Sequence, residues 1–104
     1  MKHIFIINPK AGKRDQTEKV REIVQRELRE DEYLFYVTKG PLDAKEIVNK
    51  YCREHEDEEK RFYSCGGDGT LNEVAAGVTG FSNTEVTYYP VGSGNDFVKY
   101  FGTV

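Results

Sequence analysis

Arg61-Phe62-Tyr63-Ser64-Cys65-Gly66-Gly67-Asp68-Gly69-Thr70-Leu71-Asn72-Glu73-Val74-Ala75-Ala76 is the stretch from which the rest of this 104-residue chain can be read. Arg61 to Cys65, with Phe62 and Tyr63, is an apolar, aromatic run and reads as a strand. Leu71 to Ala76 reads as the start of a helix. Between them lie Gly66, Gly67, Asp68, Gly69 and Thr70. Glycines at a strand-to-helix turn can take positive φ and let backbone N–H groups approach a ligand closely. The helix that follows adds unpaired N–H donors and the positive end of its dipole. The expected guest is an anion, a nucleotide phosphate first among the candidates. Three glycines around one carboxylate are more than a tight turn requires.

Upstream, Ile4 to Asn8 reads as a first strand. A polar turn follows, and a helix is predicted from near Asp15, where Asp15 and Glu18 resemble a capping box. Val20, Ile23, Val24 and Leu28 recur at helical spacing and form its apolar stripe. Tyr33 to Thr38 is the second strand, broken by Lys39-Gly40-Pro41. A second amphipathic helix places Ala44, Ile47, Val48, Tyr51 and Cys52 on one face. The acidic stretch Glu54 to Glu59 reads as a solvated helix end and loop. After the Gly66 turn a short helix fades near Gly77 to Gly80, with Thr70 and Glu73 fitting a capping box. Glu85 to Val91 is the fourth strand, and Phe97 to Phe101 looks like the opening turn of another helix. Strands alternating with helices predict an α/β fold, a parallel-sheet three-layer (Rossmann-like) nucleotide-binding domain spanning residues 1–104. The chain stops at Gly102-Thr103-Val104 with an element barely begun, as an excised or interrupted protein would.

Composition narrows the function. A formal charge of −3 argues against a nucleic-acid partner held by bulk electrostatics. No apolar run reaches membrane-spanning length, and the apolar start at Ile4 to Ile7 is too short for a secretory signal, so a cytoplasmic location is expected. Cys52 and Cys65 lack metal-ligand spacing and are expected to stay reduced. His3 and His55 lack obvious partners in the sequence and are assigned structural or solvent roles.

In a parallel sheet every strand-to-helix turn emerges at the carboxyl edge, where open α/β folds bind their ligands. Four such turns are small, polar or glycine-rich: Asn8-Pro9-Lys10-Ala11-Gly12, Thr38-Lys39-Gly40, Gly66 to Thr70, and Gly92-Ser93-Gly94-Asn95-Asp96. They are expected to line one rim. Asp68 raises an electrostatic question. A carboxylate about 4 Å from a phosphate oxygen is repelled by about 1 kcal/mol per unit-charge pair in bulk water, and by about 4 at an effective dielectric of 20. Asp68 is therefore expected to hold Mg²⁺ through water or to face an acceptor hydroxyl. Asp96 reads as a brace for the following helix. Ala11-Gly12-Lys13 does not complete a P-loop, and Gly92-Ser93-Gly94 lacks the third glycine of a dinucleotide fingerprint.

Asn8-Pro9-Lys10-Ala11-Gly12, Gly66-Gly67-Asp68-Gly69-Thr70-Leu71-Asn72-Glu73 and Pro90-Val91-Gly92-Ser93-Gly94-Asn95-Asp96-Phe97 resemble, in order and spacing, the diacylglycerol kinase catalytic domain. That family includes bacterial lipid kinases and sphingosine kinases and is related to NAD kinases and phosphofructokinases. The resemblance spans essentially the whole chain. It implies ATP as phosphoryl donor with Mg²⁺, a lipid hydroxyl such as that of diacylglycerol as acceptor, and peripheral membrane contact in the intact enzyme. Asn8, Pro9, Lys10, Ala11 and Gly12 would meet the nucleotide from the first turn and Thr38 from the second. Gly66, Gly67, Asp68, Gly69, Thr70, Leu71 and Asn72 would wrap the phosphates, with Ser93 and Asn95 closing the site. Asp68 would be the catalytic residue. Ser93 stands where the family often has threonine, which keeps the hydroxyl. Family members continue into a second, β-rich domain, absent here, so this chain alone is expected to bind nucleotide weakly and to lack lipid kinase activity. Apolar area left exposed where that domain docks is expected to favour a homodimer. Two alternatives share parts of the pattern: an NAD-kinase-like phosphotransferase and a non-catalytic nucleotide-binding module.

Overall fold

The computed structural model describes residues 1–10 and 15–89. Four strands, β1 (Lys2–Ile7), β2 (Tyr33–Val37), β3 (Lys60–Cys65) and β4 (Thr84–Tyr89), form one all-parallel sheet in the order β2-β1-β3-β4. Three helices connect them: α1 (Thr17–Glu27), α2 (Asp43–Glu54) and α3 (Asp68–Val78). From β1 the chain moves to one side through α1, then crosses back through α2 and continues outward through α3. Right-handed crossovers running in opposite directions place their helices on opposite faces. The result is the predicted three-layer α/β arrangement, and strand order reverses between β1 and β3.

The central strand explains why the sheet is buried on both sides. Ile4 and Ile6 face α2 and α3, packing with Ala44, Val48, Tyr51, Cys52, Phe62 and Val74. Phe5 and Ile7 face α1 and meet Val20, Val24, Tyr63, Cys65 and Tyr89. All four β1 side chains are essentially inaccessible, each worth about 1.5–3 kcal/mol relative to exposure. The unbroken Ile4-Phe5-Ile6-Ile7 run is thus the signature of a strand covered on both faces. The Phe5 ring stacks on Tyr63 with centroids 4.3 Å apart.

Where α2 and α3 meet, Gly77 lets the backbones close in. A Cβ there would lie 2.8 Å from Val48 Cβ and 2.9 Å from the Lys45 carbonyl oxygen. Among the described residues, a glycine takes the left-handed conformation only at Gly80, φ 89°, just past the end of α3.

Several boundaries differ from the sequence reading. Asp15 does not form a box with Glu18. Its carboxylate instead accepts the Thr17 N–H at 2.9 Å and the Thr17 hydroxyl, closing a turn on its own neighbour. The N-cap of α1 is Gln16, which makes no side-chain cap bond. Helix α3 begins at Asp68 with Gly67 as N-cap, so Thr70 lies inside the first turn and the Thr70–Glu73 box does not form. The acidic segment after α2 is not wholly solvated. Glu58 accepts the Tyr51 hydroxyl, and Lys60, fully buried, donates Nζ to the carbonyls of His55 and Glu58 at 2.9 Å each. The predicted end of the fourth strand at Pro90–Val91 and the helix turn at Phe97 to Phe101 lie outside the described residues.

Both histidines have structural partners. His3 Nδ1 is 2.8 Å from the Tyr63 hydroxyl. His55 stacks on Tyr51 and places Nδ1 3.0 Å from the Tyr51 carbonyl. Cys52 and Cys65 are free and buried, and burial pushes both thiols up, away from the reactive thiolate.

Two predictions follow from this core. Gly77→Ala should lower stability by about 1–3 kcal/mol through overpacking, measured by urea unfolding. The second concerns His3, whose pKa is held below its ordinary 6.5, first by burial and then by the Arg61 guanidinium. Folding therefore favours the neutral ring. Its contribution is complete above the unfolded value and is lost as pH falls through the lower folded one. Unfolding curves at about pH 5 and about pH 7 should show less acid destabilisation in His3→Gln than in the parent.

Candidate functional site

Strand register brings the turns together. Ile7 is level with both Val37 and Cys65, and Cys65 with Tyr89, so the four strands finish in line. The ladder runs one step further: Asn8 N–H donates to the Cys65 carbonyl at 3.0 Å, and Thr38 N–H to the Ile7 carbonyl at 2.8 Å. Asn8, Thr38 and Gly66 therefore leave the sheet side by side. They do so where strand order reverses, and open α/β sheets place their ligand crevice there.

A cavity of about 450 Å³ opens at this edge, lined by Asn8, Lys10, Thr38, Lys39, Gly40, Pro41, Ala44, Gly69, Thr70 and Glu73. Its size falls within the range of roughly 300–1,000 Å³ for small-molecule sites. Residues from three of the four turns contribute. The fourth turn, with Ser93, Asn95 and Asp96, lies outside the described residues, as do Ala11 and Gly12.

Gly66 makes the floor possible, and not through positive φ. A Cβ on Gly66 would lie 2.6 Å from Thr70 Oγ1 and 3.2 Å from Asn8 Cβ. Its absence lets Asn8 Nδ2 donate to Thr70 Oγ1 at 3.3 Å. Asn8 Oδ1 meanwhile accepts the Lys10 N–H at 3.0 Å and bends the first turn back toward the cavity. On the far side Lys39 N–H donates to the Asp43 carboxylate at 2.7 Å, tying the second turn to the start of α2. Thr38 is buried at the base.

The N-terminus of α3 is the electropositive element. Its first internal acceptor is the Gly67 carbonyl, taken by Leu71 N–H at 3.2 Å. The N–H groups of Asp68, Gly69 and Thr70 have no protein partner among the described residues, and Gly67 offers no side-chain cap. A Cβ on Gly67 or Gly69 would meet nothing within 4 Å. Open space thus borders Gly67 and Gly69 at a helix start whose first N–H groups lack partners among the described residues, an arrangement suited to an anion. Lys10 and Lys39 add positive charge on the cavity wall, and Glu73 adds one carboxylate.

Several sequence-predicted residues lie off the cavity wall. Pro9 is half-buried and Leu71 partly covered, while Gly67, Asp68 and Asn72 are exposed at the α3 entrance. The Asp68 carboxylate makes no bond with the described residues. Among those residues there is no group of three or more metal-ligating side chains. A hard cation at Asp68 would therefore need water and a ligand's own oxygens to complete its shell, as Mg²⁺ with phosphates does. Pro41, Ala44 and Glu73 line the cavity without having been assigned to it from sequence. Glu73 lies one helical turn beyond Thr70, a spacing that could have revealed it.

Fold and site together define an α/β domain with a cavity of small-molecule size beside an uncapped helix N-terminus, at the switch point of its sheet. The sequence matches the diacylglycerol kinase catalytic domain over residues 2–104, and the chain belongs to that family. It is 36% identical over 99 residues to "Putative lipid kinase YtlR" of Bacillus subtilis (strain 168), covering 93% of this chain and 32% of the relative. Two crystal structures from Bacillus anthracis str. Sterne, one of a "putative diacylglycerol kinase" and one of "diacylglycerol kinases", each share 27% identity. They align at TM-scores of 0.61 and 0.60 over 99% of this chain and 37% of theirs. The chain thus spans about a third of the length of these relatives.

Gly66→Ala should displace Thr70 and lower stability by about 1–3 kcal/mol. Gly69→Ala, in the first turn of α3 with open space around it, should be neutral or slightly stabilising. Urea unfolding of both variants checks the pair.

Proposed function

We propose that this chain is the nucleotide-binding part of an ATP- and Mg²⁺-dependent lipid kinase. In the intact protein it would deliver the γ-phosphoryl group to a lipid hydroxyl such as that of diacylglycerol. The carrying observation is the cavity that level strand ends build from Asn8, Thr38 and the uncapped start of α3, in a chain of the diacylglycerol kinase catalytic domain family.

In this reading the free N–H groups of Asp68, Gly69 and Thr70 bind nucleotide phosphate, and Lys10 and Lys39 neutralise its charge. Asn8 and Thr70 hold each other at the cavity floor and orient the ligand. The predicted contacts of Ala11, Gly12, Ser93 and Asn95 belong to the same proposal. Mg²⁺, when bound, would screen the phosphate charge from Asp68 and let that carboxylate stand close to the transferring group. Asp68 would otherwise oppose phosphate binding. Because the chain spans about a third of the length of its relatives, lipid phosphorylation is not expected from it by itself.

Calorimetric titration of ATP, with and without Mg²⁺, tests the proposal. Gly67→Val fills the space before the α3 donors and should weaken ATP binding by about tenfold or more, equivalent to about 1.4 kcal/mol. Asp68→Ala should remove most of the Mg²⁺ dependence. ATP affinity indifferent to both substitutions would overturn the assignment, and stronger competition by NAD than by ATP would redirect it to a nucleotide acceptor.

A further inference from the structure

The entry into α2 has two sides. Pro41 and Ala44 line the cavity, while Leu42 and Lys45 face away from it, into a separate groove. Leu42 holds φ at 69°, a left-handed conformation that leucine seldom adopts. Its side chain is 61% exposed, more than any other large apolar residue described. From Leu42 a shallow groove of about 450 Å³ follows the outer face of α2, lined by Leu42, Lys45, Glu46, Asn49, Lys50 and Arg53. These positions recur at the three- and four-residue spacing of one helical stripe. The opposite stripe, Ala44, Val48, Tyr51 and Cys52, is buried in the core, so α2 cannot turn its charged side inward.

The stripe is cationic on a chain whose formal charge is −3. Lys45, Lys50 and Arg53 face a single groove carboxylate, Glu46, and none of the three has an ion-pair partner among the described residues. One exposed apolar side chain at the end of a row of long cations suits a particular partner. A protein partner would need a packed patch with a pocket for an anchoring side chain. An anionic bilayer needs only shallow apolar insertion and cations at headgroup depth.

We infer that the outer face of α2 seats this chain on an anionic membrane surface, Leu42 entering the headgroup layer and Lys45, Lys50 and Arg53 lying over lipid phosphates. The inference rests on the proposed lipid-kinase reading, in which the cavity mouth beside Leu42 must come close to a bilayer.

Flotation of the protein with phosphatidylcholine vesicles, with and without added phosphatidylglycerol, tests it. Binding is expected only with phosphatidylglycerol and should weaken as salt is raised. Replacing Lys45, Lys50 and Arg53 together by Gln should reduce partitioning roughly fivefold per charge removed. Leu42→Gly should lower partitioning severalfold yet leave the melting temperature equal or higher, because glycine is at ease at this φ. Equal flotation of the parent and the triple variant, or tighter capture by soluble polyglutamate than by the vesicles, would overturn the inference. A fluorescent ATP analogue read in parallel separates the two proposals. A parent chain that binds nucleotide but not phosphatidylglycerol vesicles sinks this surface alone. One that floats without binding nucleotide sinks the kinase reading and leaves the surface standing.

Discussion

Everything functional in this chain depends on the common level at which its parallel strands end. Each pair in the sheet is held by backbone hydrogen bonds, and the side chains of β1 are locked into core on both faces. A shift of β1 by one residue would turn Ile4 and Ile6 from the α2–α3 side to the α1 side and exchange them with Phe5 and Ile7. It would also move Asn8 away from Thr70. Core packing and site geometry therefore rest on the same register. The bonds from Asn8 N–H to Cys65 and from Thr38 N–H to Ile7 carry that register one residue past the strands and into the loops.

The start of α3 illustrates a division of labour among glycines that look alike in sequence. Gly66 is a packing glycine, because Thr70 and Asn8 occupy the place of its side chain. Gly67 and Gly69 border empty space at the start of α3, which has no side-chain cap. None of the three uses the left-handed conformation. The motif is better understood as close approach followed by clearance than as a tight turn.

Much of this was legible beforehand, and for identifiable reasons. The Ile4 to Ile7 run, the helical stripes of α1 and α2 and the strand-to-helix transition at Gly66 each have a periodicity that burial imposes, so fold and strand assignment could be read directly. Convergence of the three described turns followed from topology alone. Local hydrogen bonding was less accessible. Asp15 and Thr70 have the composition of capping residues, yet each finds a different partner, Thr17 in one case and Asn8 in the other. Lys60 gave no sign of burial, since only the folded loop brings the His55 and Glu58 carbonyls to its ammonium. Ala44 and Glu73 were hidden for another reason: a cavity between two helices depends on their separation, which no single segment encodes.

That separation has a mechanical origin. Ala44 and Glu73 on the cavity wall are each four residues ahead of Val48 and Gly77, the pair at which α2 and α3 touch. The helices behave like the blades of shears, and the bare backbone at Gly77 is the pivot. Above it the blades part, and the gap between them is the room a ligand can occupy. The width of the mouth is thus governed from one turn below, so bulk at the pivot would splay a pocket it never touches.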